Sequence, residues 1–318
     1  SGTNLDEYFP VLVDIFRSGR SLYALPKDTS PIGIFYNKNV FDQFGVPYPP
    51  EGGWTMEEFA ETVKKLSKDP NGEGKNDVWG FAFPSWVGVV VPILWAGGGE
   101  VFSPDFTKTS GYLNSDVNVG TYSFYMDLLA KGYAPTPQEA SSLGGTSALF
   151  YTGKVAMVIT GRWFNVSIKS QIAKGANLKV GGASIPYASE QSKATVTYAS
   201  GWAVPSNVAD KAGATKLAAF LSSEYAQTKR CLEGGLAISA IRSIAELQAA
   251  KDALDSTFIG MLDYARVPVG SLTKYYRPQF EDTWAEAFDR MNVGGETVKQ
   301  AMDWAAATID EYIEKGEK

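Results

Sequence analysis

Apolar residues recur at helical spacing in several segments of the chain, with strand-like patterns between them. The clearest helix begins after Thr55, because Thr55 and Glu58 have the spacing of a capping box and the apolar residues that follow share one face. Another helix is predicted over residues 117–131, with Gly132 as its C-terminal cap. Further helices are predicted within residues 4–20, at 146–151 and 212–222, after a capping box of Ser243 and Glu246, along 280–291, and over 296–314.

Strand patterns separate these helices. Residues 154–160 are continuously apolar between their two end residues, which is typical of a buried strand. Residues 22–25 and 32–36 predict two short strands around the polar stretch 26–31. Residues 196–205 predict one more strand, which crosses Trp202. Because helices and strands alternate along the chain, the sequence predicts an α/β fold.

Composition restricts the possible functions. The chain has 318 residues, enough for two domains, and 44% of them are apolar. The net charge is −6, and there is no run of basic residues for binding nucleic acid. The most apolar stretch, residues 87–96, is interrupted by Pro92 and is too short to predict a membrane span.

The sequence offers little for catalysis. It contains no histidine, which excludes His-based triads, and no phosphate-binding loop or nucleophile elbow. The single cysteine, Cys231, is predicted to be a small buried residue. The 35 acidic residues could supply a glycosidase pair, but nothing in the sequence favours one pair. No catalytic residue and no cofactor is therefore predicted.

One loop has acidic and amide residues at the spacing of a metal-binding loop. Asp69, Asn71, Glu73 and Asp77 have the spacing of the first ligands of a calcium loop, and a glycine lies at the sharp turn. Gly80 stands where such a loop has its final glutamate. A plain tight loop is the favoured interpretation, and a structural calcium ion is the alternative.

Aromatic residues make up 13% of the chain, and several lie beside glycine or proline. Sugars pack their C–H faces on aromatic rings, and their hydroxyl groups need polar partners. Trp163 and Trp202 adjoin glycines at the ends of predicted strands, where α/β folds bind ligands. Asp28, Arg162 and Arg277 lie near aromatic residues in the sequence. This pattern indicates a carbohydrate site.

Seven motifs in a fixed order resemble the family of extracellular solute-binding proteins that includes the maltose-binding protein. They are LYALP at 22–26, FYNK at 35–38, FDQFGV at 41–46, WTMEEF at 54–59, FYTGKVAM at 150–157, GRW at 161–163 and SGWAVP at 200–205. The resemblance implies a periplasmic-binding-protein-like fold of type II, in which two α/β lobes close on a sugar. It also implies an ABC transporter permease as partner.

The resemblance implies a set of ligand-binding residues. Trp163, Trp202 and Trp284 are expected to stack on sugar rings, and Asp28, Arg162 and Arg277 to bond hydroxyl groups, with Trp86 and Tyr276 flanking them. The expected ligand is an oligosaccharide. A carbohydrate-active hydrolase and a sugar-sensing receptor without transport are the alternatives.

The same resemblance implies a division into lobes. Residues 1–29 and 199–255 would form part of the first lobe, and residues 33–195 and 258–318 the second. Hinge segments are expected near 28–33, 195–201 and 255–260. Family members have a half-domain before the LYALP segment, so the first lobe is expected to be incomplete here. The expected location is extracellular or periplasmic, with an anchor at a missing N-terminus.

Overall fold

The computed structural model describes residues 3–69 and 72–316. The strands are β1 (Arg17–Ser18), β2 (Ser21–Leu22), β3 (Leu25–Asn37), β4 (Met157–Gly161), β5 (Val180–Ala183), β6 (Thr195–Trp202) and β7 (Ala265–Arg266). The helices are α1 (Pro10–Ile15), α2 (Lys38–Phe44), α3 (Met56–Leu66), α4 (Val87–Ala96), α5 (Asp116–Ala130), α6 (Pro137–Ser142), α7 (Thr146–Tyr151), α8 (Phe164–Ala173), α9 (Lys211–Leu221), α10 (Glu224–Gln227), α11 (Arg242–Lys251), α12 (Ala253–Gly260), α13 (Glu281–Asn292) and α14 (Val298–Lys315). Helices and strands alternate as predicted.

Strand β3 organises the sheet because it changes partners along its length. Its first half pairs antiparallel with β6, and Ser30 lies opposite Tyr198. Its second half pairs antiparallel with β4 and β5, while β7 joins β6 in parallel. The register with β6 shifts between Pro26 and Asp28, where a bulge twists the strand. The partner change brings the end of β4 beside the β3–β6 pair.

The prediction of two short strands around a polar loop was wrong. Residues 26–31 belong to the long strand β3, and their polar side chains have partners. The hydroxyls of Thr29 and Thr197 lie 2.5 Å apart across β3 and β6. The hydroxyl of Ser30 accepts from the amide of Trp163 at 2.9 Å. Because these groups are satisfied inside the structure, their polarity did not indicate a loop.

Two predicted details of the helices have opposite outcomes. The capping box of Thr55 and Glu58 is confirmed at the start of α3. The capping box of Ser243 and Glu246 is wrong, because α11 begins at Arg242 and Ser243 lies inside the helix. The residue before α11 is Ile241, which is buried and offers no side-chain cap.

The main core lies between α3, α4, α5, α13 and α14 on one side of the sheet. Trp54 and Trp79 are buried, and Cys231 is buried as predicted. Burial raises the pKa of the Cys231 thiol to about 11, so it is a neutral packing residue. Within the described residues, no helix is long and apolar enough to cross a membrane.

Candidate functional site

A cavity of about 260 Å³ lies where β3 and β6 meet the end of β4. The two strands present adjacent residues to it, and the turn after β4 supplies Arg162 and Trp163. Its lining consists of Asp28, Thr29, Ser30, Arg162, Trp163, Tyr198, Ala199, Ser200, Arg230, Leu236 and Ala237. The cavity therefore combines aromatic and charged side chains, which is the composition of a site for a polar ligand with apolar faces.

Three aromatic rings group at one side of this cavity. The ring centroids of Trp86 and Trp163 are 6.2 Å apart, and Tyr198 lies 5.9 Å from Trp86 and 5.8 Å from Trp163. Trp86 is 40% exposed and Trp163 is 41% exposed. Exposed rings fixed by their neighbours provide apolar surface without a large loss of side-chain entropy on binding. We name Trp86, Trp163 and Tyr198 the aromatic trio.

Hydrogen bonds hold the aromatic trio in place. The indole of Trp86 donates to Glu281 of α13 at 3.1 Å, and Arg277 donates to the same oxygen at 3.1 Å. The hydroxyl of Tyr198 donates to the carbonyl of Gly88 at 3.1 Å. Gly88 also has no room for a side chain, because a Cβ there would lie 2.5 Å from the Trp86 ring. Contacts with α4 and α13 therefore fix the position of the aromatic trio.

Asp28 lies on the polar side of the cavity and is 8% exposed. One carboxylate oxygen accepts from the amide of Ser200 at 3.2 Å. The other is paired with Arg230 and lies 3.7 Å from the ammonium of Lys27. Asp28 thus lines the cavity, but most of its accepting capacity is already used by the protein. Its contact with sugar hydroxyl groups stays a prediction.

Arg162 has a different role from the expected one. It is completely buried and donates to both carboxylate oxygens of Asp255 on α12, at 2.8 and 3.0 Å. Burial raises the pKa of Asp255, although the guanidinium beside it acts in the opposite direction. The guanidinium of Arg162 is occupied by Asp255, so Arg162 has few donors left for the hydroxyl groups of a ligand. The ion pair instead holds the turn that carries Trp163.

Trp284 does not reach the cavity. It is 1% exposed, its indole donates to the carbonyl of Ser85 at 3.2 Å, and its ring packs edge-on against Tyr122. Trp284 is one of the buried residues of α13. In this conformation a ring so deeply buried cannot stack on a sugar, so the structure corrects that expectation.

The remaining predicted residues lie around the cavity without lining it. Trp202 ends β6, where the ammonium of Lys27 lies 5.1 Å from its ring centroid. Tyr276 packs against Phe280. Arg277 has a side chain that is 69% exposed and pairs with Glu281. A direct contact of these residues with a ligand stays a prediction.

Sequence reasoning missed four residues of the site. Tyr198 and Ser30 were overlooked because they lie inside polar or mixed strand segments, although alternation along β6 places Tyr198 on the same face as Ser200. Arg230 and Asp255 come from distant helical segments, and no spacing in the sequence joins them to Asp28 or Arg162. Such pairs become visible only once the chain is folded.

The loop with calcium-like spacing is only partly described. Both carboxylate oxygens of Asp69 accept backbone amides, from Glu73 at 3.1 Å and from Gly74 at 2.6 Å. Asn71 lies outside the described residues. Within the part of the chain that is described, no group of acidic residues and cysteines could hold a metal ion. Calcium binding stays a prediction.

Residues 3–228 match the sequence model of a family described as bacterial extracellular solute-binding protein. An ABC substrate-binding protein from Listeria monocytogenes in complex with cycloalternan superposes with a TM-score of 0.81 at 23% identity, over 100% of this chain and 78% of that one. A solute-binding protein from Thermotoga lettingae with α-D-tagatose has a TM-score of 0.79 at 22% identity, over 97% and 76%. These likenesses confirm the predicted periplasmic-binding-protein-like fold of type II.

A curated sequence from Brucella abortus, described as a binding protein, is 26% identical over 191 residues. The match covers 57% of this chain and 43% of that sequence. The chain therefore spans less than half the length of the curated relative it matches.

Proposed function

The chain belongs to the family of bacterial extracellular solute-binding proteins, and on that premise we propose that it binds a carbohydrate at the β3–β6 cavity for import by an ABC transporter. The family is one of binding proteins, which favours a receptor over an enzyme. A sugar complex of a protein with the same fold, the Listeria protein with cycloalternan, supports the ligand class.

The observation that carries the proposal is the aromatic trio beside charged and hydroxyl side chains. The ring of Trp163 lines the cavity, and the exposed ring of Trp86 lies against it, so these rings can pack on the C–H face of a sugar. Ser30 and Ser200 line the same cavity and supply hydroxyl groups that both donate and accept. An arrangement of this kind binds a ring that is apolar on its faces and polar at its edge.

The proposed binding cycle needs two lobes and a partner. Residues 1–29 with 199–255 would form one lobe and residues 33–195 with 258–318 the other, joined near 28–33, 195–201 and 255–260. Ligand bound against β3 and β6 would favour the closed arrangement, because only that arrangement contacts it from both sides. The closed form would be recognised by a membrane permease outside the cytoplasm.

Isothermal titration calorimetry against a panel of sugars tests this function. The panel contains maltose-type, xylan-type and chitin-type oligosaccharides, galactosides, and amino acids as controls. We expect heat that saturates near one site per chain for at least one sugar, with the sugar recovered unchanged by chromatography. Hydrolysed sugar would instead support the alternative of a carbohydrate-active hydrolase. Absence of binding to every sugar would contradict the proposal.

A further inference from the structure

The carboxylates around the cavity have little accepting capacity left for a ligand. Asp28 accepts from the Ser200 amide and pairs with Arg230. Both oxygens of Asp255 are bound by Arg162. A neutral sugar presents hydroxyl protons that need acceptors, and carboxylates are the strongest acceptors that side chains offer. The site is therefore better supplied with donors than with acceptors.

Arg230 provides the free donors. Its Nη1 pairs with Asp28, and among the described residues its Nε and Nη2 have no hydrogen-bond partner. The side chain is 30% exposed and lines the cavity. The edge formed by Nε and Nη2 is planar and matches the two oxygens of a carboxylate. Ser30 adds another donor, because its hydroxyl accepts from Trp163 and keeps its own proton.

The local charge also favours an anion. Arg162 is neutralised by Asp255, whereas Asp28 faces two cations, Arg230 and Lys27. One positive charge is therefore in excess beside the cavity, although the whole chain carries a net charge of −6. In a concave and partly enclosed site, such an excess attracts an anionic ligand.

We propose that the ligand of this site is an acidic carbohydrate, whose uronate carboxylate binds the free edge of Arg230 while its ring packs on Trp163. This inference rests on the proposed function and narrows its substrate class. Arg230 is then a specificity-determining residue: it selects the oxidised sugar over its neutral parent. The pair with Asp28 orients the guanidinium so that its free edge is available.

Calorimetry with matched pairs of sugars tests this inference. Each pair consists of a neutral oligosaccharide and the same oligosaccharide with a uronate in place of a hexose, such as galactobiose and digalacturonate, or cellobiose and its uronate. We expect the acidic member to bind about tenfold more tightly or better, as charge-assisted hydrogen bonds contribute that much. The difference should shrink as salt is added, because the attraction is partly screened.

Two matched variants locate the effect. Arg230→Gln should abolish the preference for the acidic member, measured as the ratio of the two dissociation constants within each pair, because the free edge of the guanidinium is lost. Lys229→Gln makes the same change of charge at the neighbouring residue, which pairs with Glu233 at the surface, and should keep the preference. Arg230→Lys keeps the charge without the planar fork and should give an intermediate preference. Thermal unfolding of each variant verifies that it is folded.

The outcomes separate the two proposals. Tighter binding of the neutral members would overturn the acidic ligand and leave a carbohydrate receptor. Retained preference in Arg230→Gln would overturn the role of this residue. A sugar phosphate that binds more tightly than every uronate would overturn the choice of a carboxylate. Failure of all sugars, neutral and acidic, would overturn the proposed function together with this inference.

Discussion

At the scale of single residues, Trp163 has the most direct consequence for binding. Its ring is 41% exposed, and its backbone is fixed by Ser30. Trp163→Ala should weaken binding of a sugar that the parent chain binds by about tenfold or more, since ring contact and buried area together contribute roughly 1.5 kcal/mol. Calorimetry measures this change. Tyr23→Ala removes a ring that is 68% exposed and lies outside the cavity, and it should leave affinity unchanged. Equal affinities of all three chains would contradict the site.

The buried ion pair of Arg162 and Asp255 predicts a large effect on stability. Asp255→Ala leaves a completely buried guanidinium without its partner, which should lower the free energy of unfolding by about 3–5 kcal/mol. Glu233→Ala breaks the exposed pair with Lys229 and should cost less than about 1 kcal/mol. Urea unfolding measures both. A small effect at Asp255 would show that the pair does not hold the turn before Trp163.

The residues that sequence reasoning found and missed differ in a physical respect. Trp163, carried by the local GRW motif, and Asp28, in a polar stretch beside a second motif, both line the cavity, and their contact with a ligand stays a prediction. Trp284 and Arg162 were assigned to ligand contact by the same reasoning, yet both are buried. Burial depends on which distant segments pack against a side chain, and a local motif contains no information about that.

At the scale of elements, helix α4 controls the aromatic trio through Gly88. A Cβ at this position would lie 2.5 Å from the ring of Trp86 and 2.7 Å from the hydroxyl of Tyr198. Gly88→Ala should therefore displace both rings, lower the free energy of unfolding by about 1–3 kcal/mol and weaken sugar binding. Urea unfolding and calorimetry measure the two effects.

Gly120 in α5 offers a matched control for that change. It lies inside a helix, is exposed, and a Cβ there would meet no atom within 4 Å. Gly120→Ala should raise the free energy of unfolding by about 0.5–1 kcal/mol, because alanine loses less backbone entropy in a helix, and should leave binding unchanged. If both alanine variants behaved alike, the close approach at Gly88 would have no consequence.

The elements themselves were predicted with uneven success, and β3 shows why. Helices α3, α5 and α14 follow periodic apolar patterns and were predicted within a few residues. Strand β3 was predicted as two pieces, because Asp28, Thr29 and Ser30 are polar. They are accommodated by β6 and by the turn at Trp163, which are far away in the sequence. The spacing of apolar residues within a segment does not show which distant segments will pack against it.

At the scale of the whole molecule, the order of short motifs predicted more than any one element did. The family and the type II fold followed from seven motifs spread over the chain, and both are confirmed. The ligand did not follow, because proteins of one fold bind different solutes through a few side chains. In this chain the side chain proposed for that role is Arg230, which reaches the cavity from a segment without any motif.

The absence of histidine has a consequence for the whole chain at neutral pH. No histidine is present, and burial raises the pKa of the single cysteine to about 11. No side chain therefore has an ordinary pKa between about 6 and 8, where histidine would titrate. Sugar affinity, measured by calorimetry across this range, should be constant. A step in affinity there would instead indicate a group with a shifted pKa, such as Asp255, whose pKa burial raises.

Below neutral pH, Asp310 shows in which direction the free energy of unfolding changes with pH. Burial would raise its pKa, but hydrogen bonds from Ser110 and Thr109 outweigh burial and lower the pKa of Asp310. A carboxyl whose pKa is lower in the folded chain stabilises it above the unfolded pKa of about 4, and this contribution is lost as pH falls through the folded value. Asp255, whose pKa is raised, acts in the opposite direction.

Urea unfolding across a pH series measures this contribution in the parent chain and in Asp310→Asn. The free energies of unfolding of the two chains should differ at neutral pH and converge in strong acid. A constant difference across the series would exclude Asp310 as the titrating group.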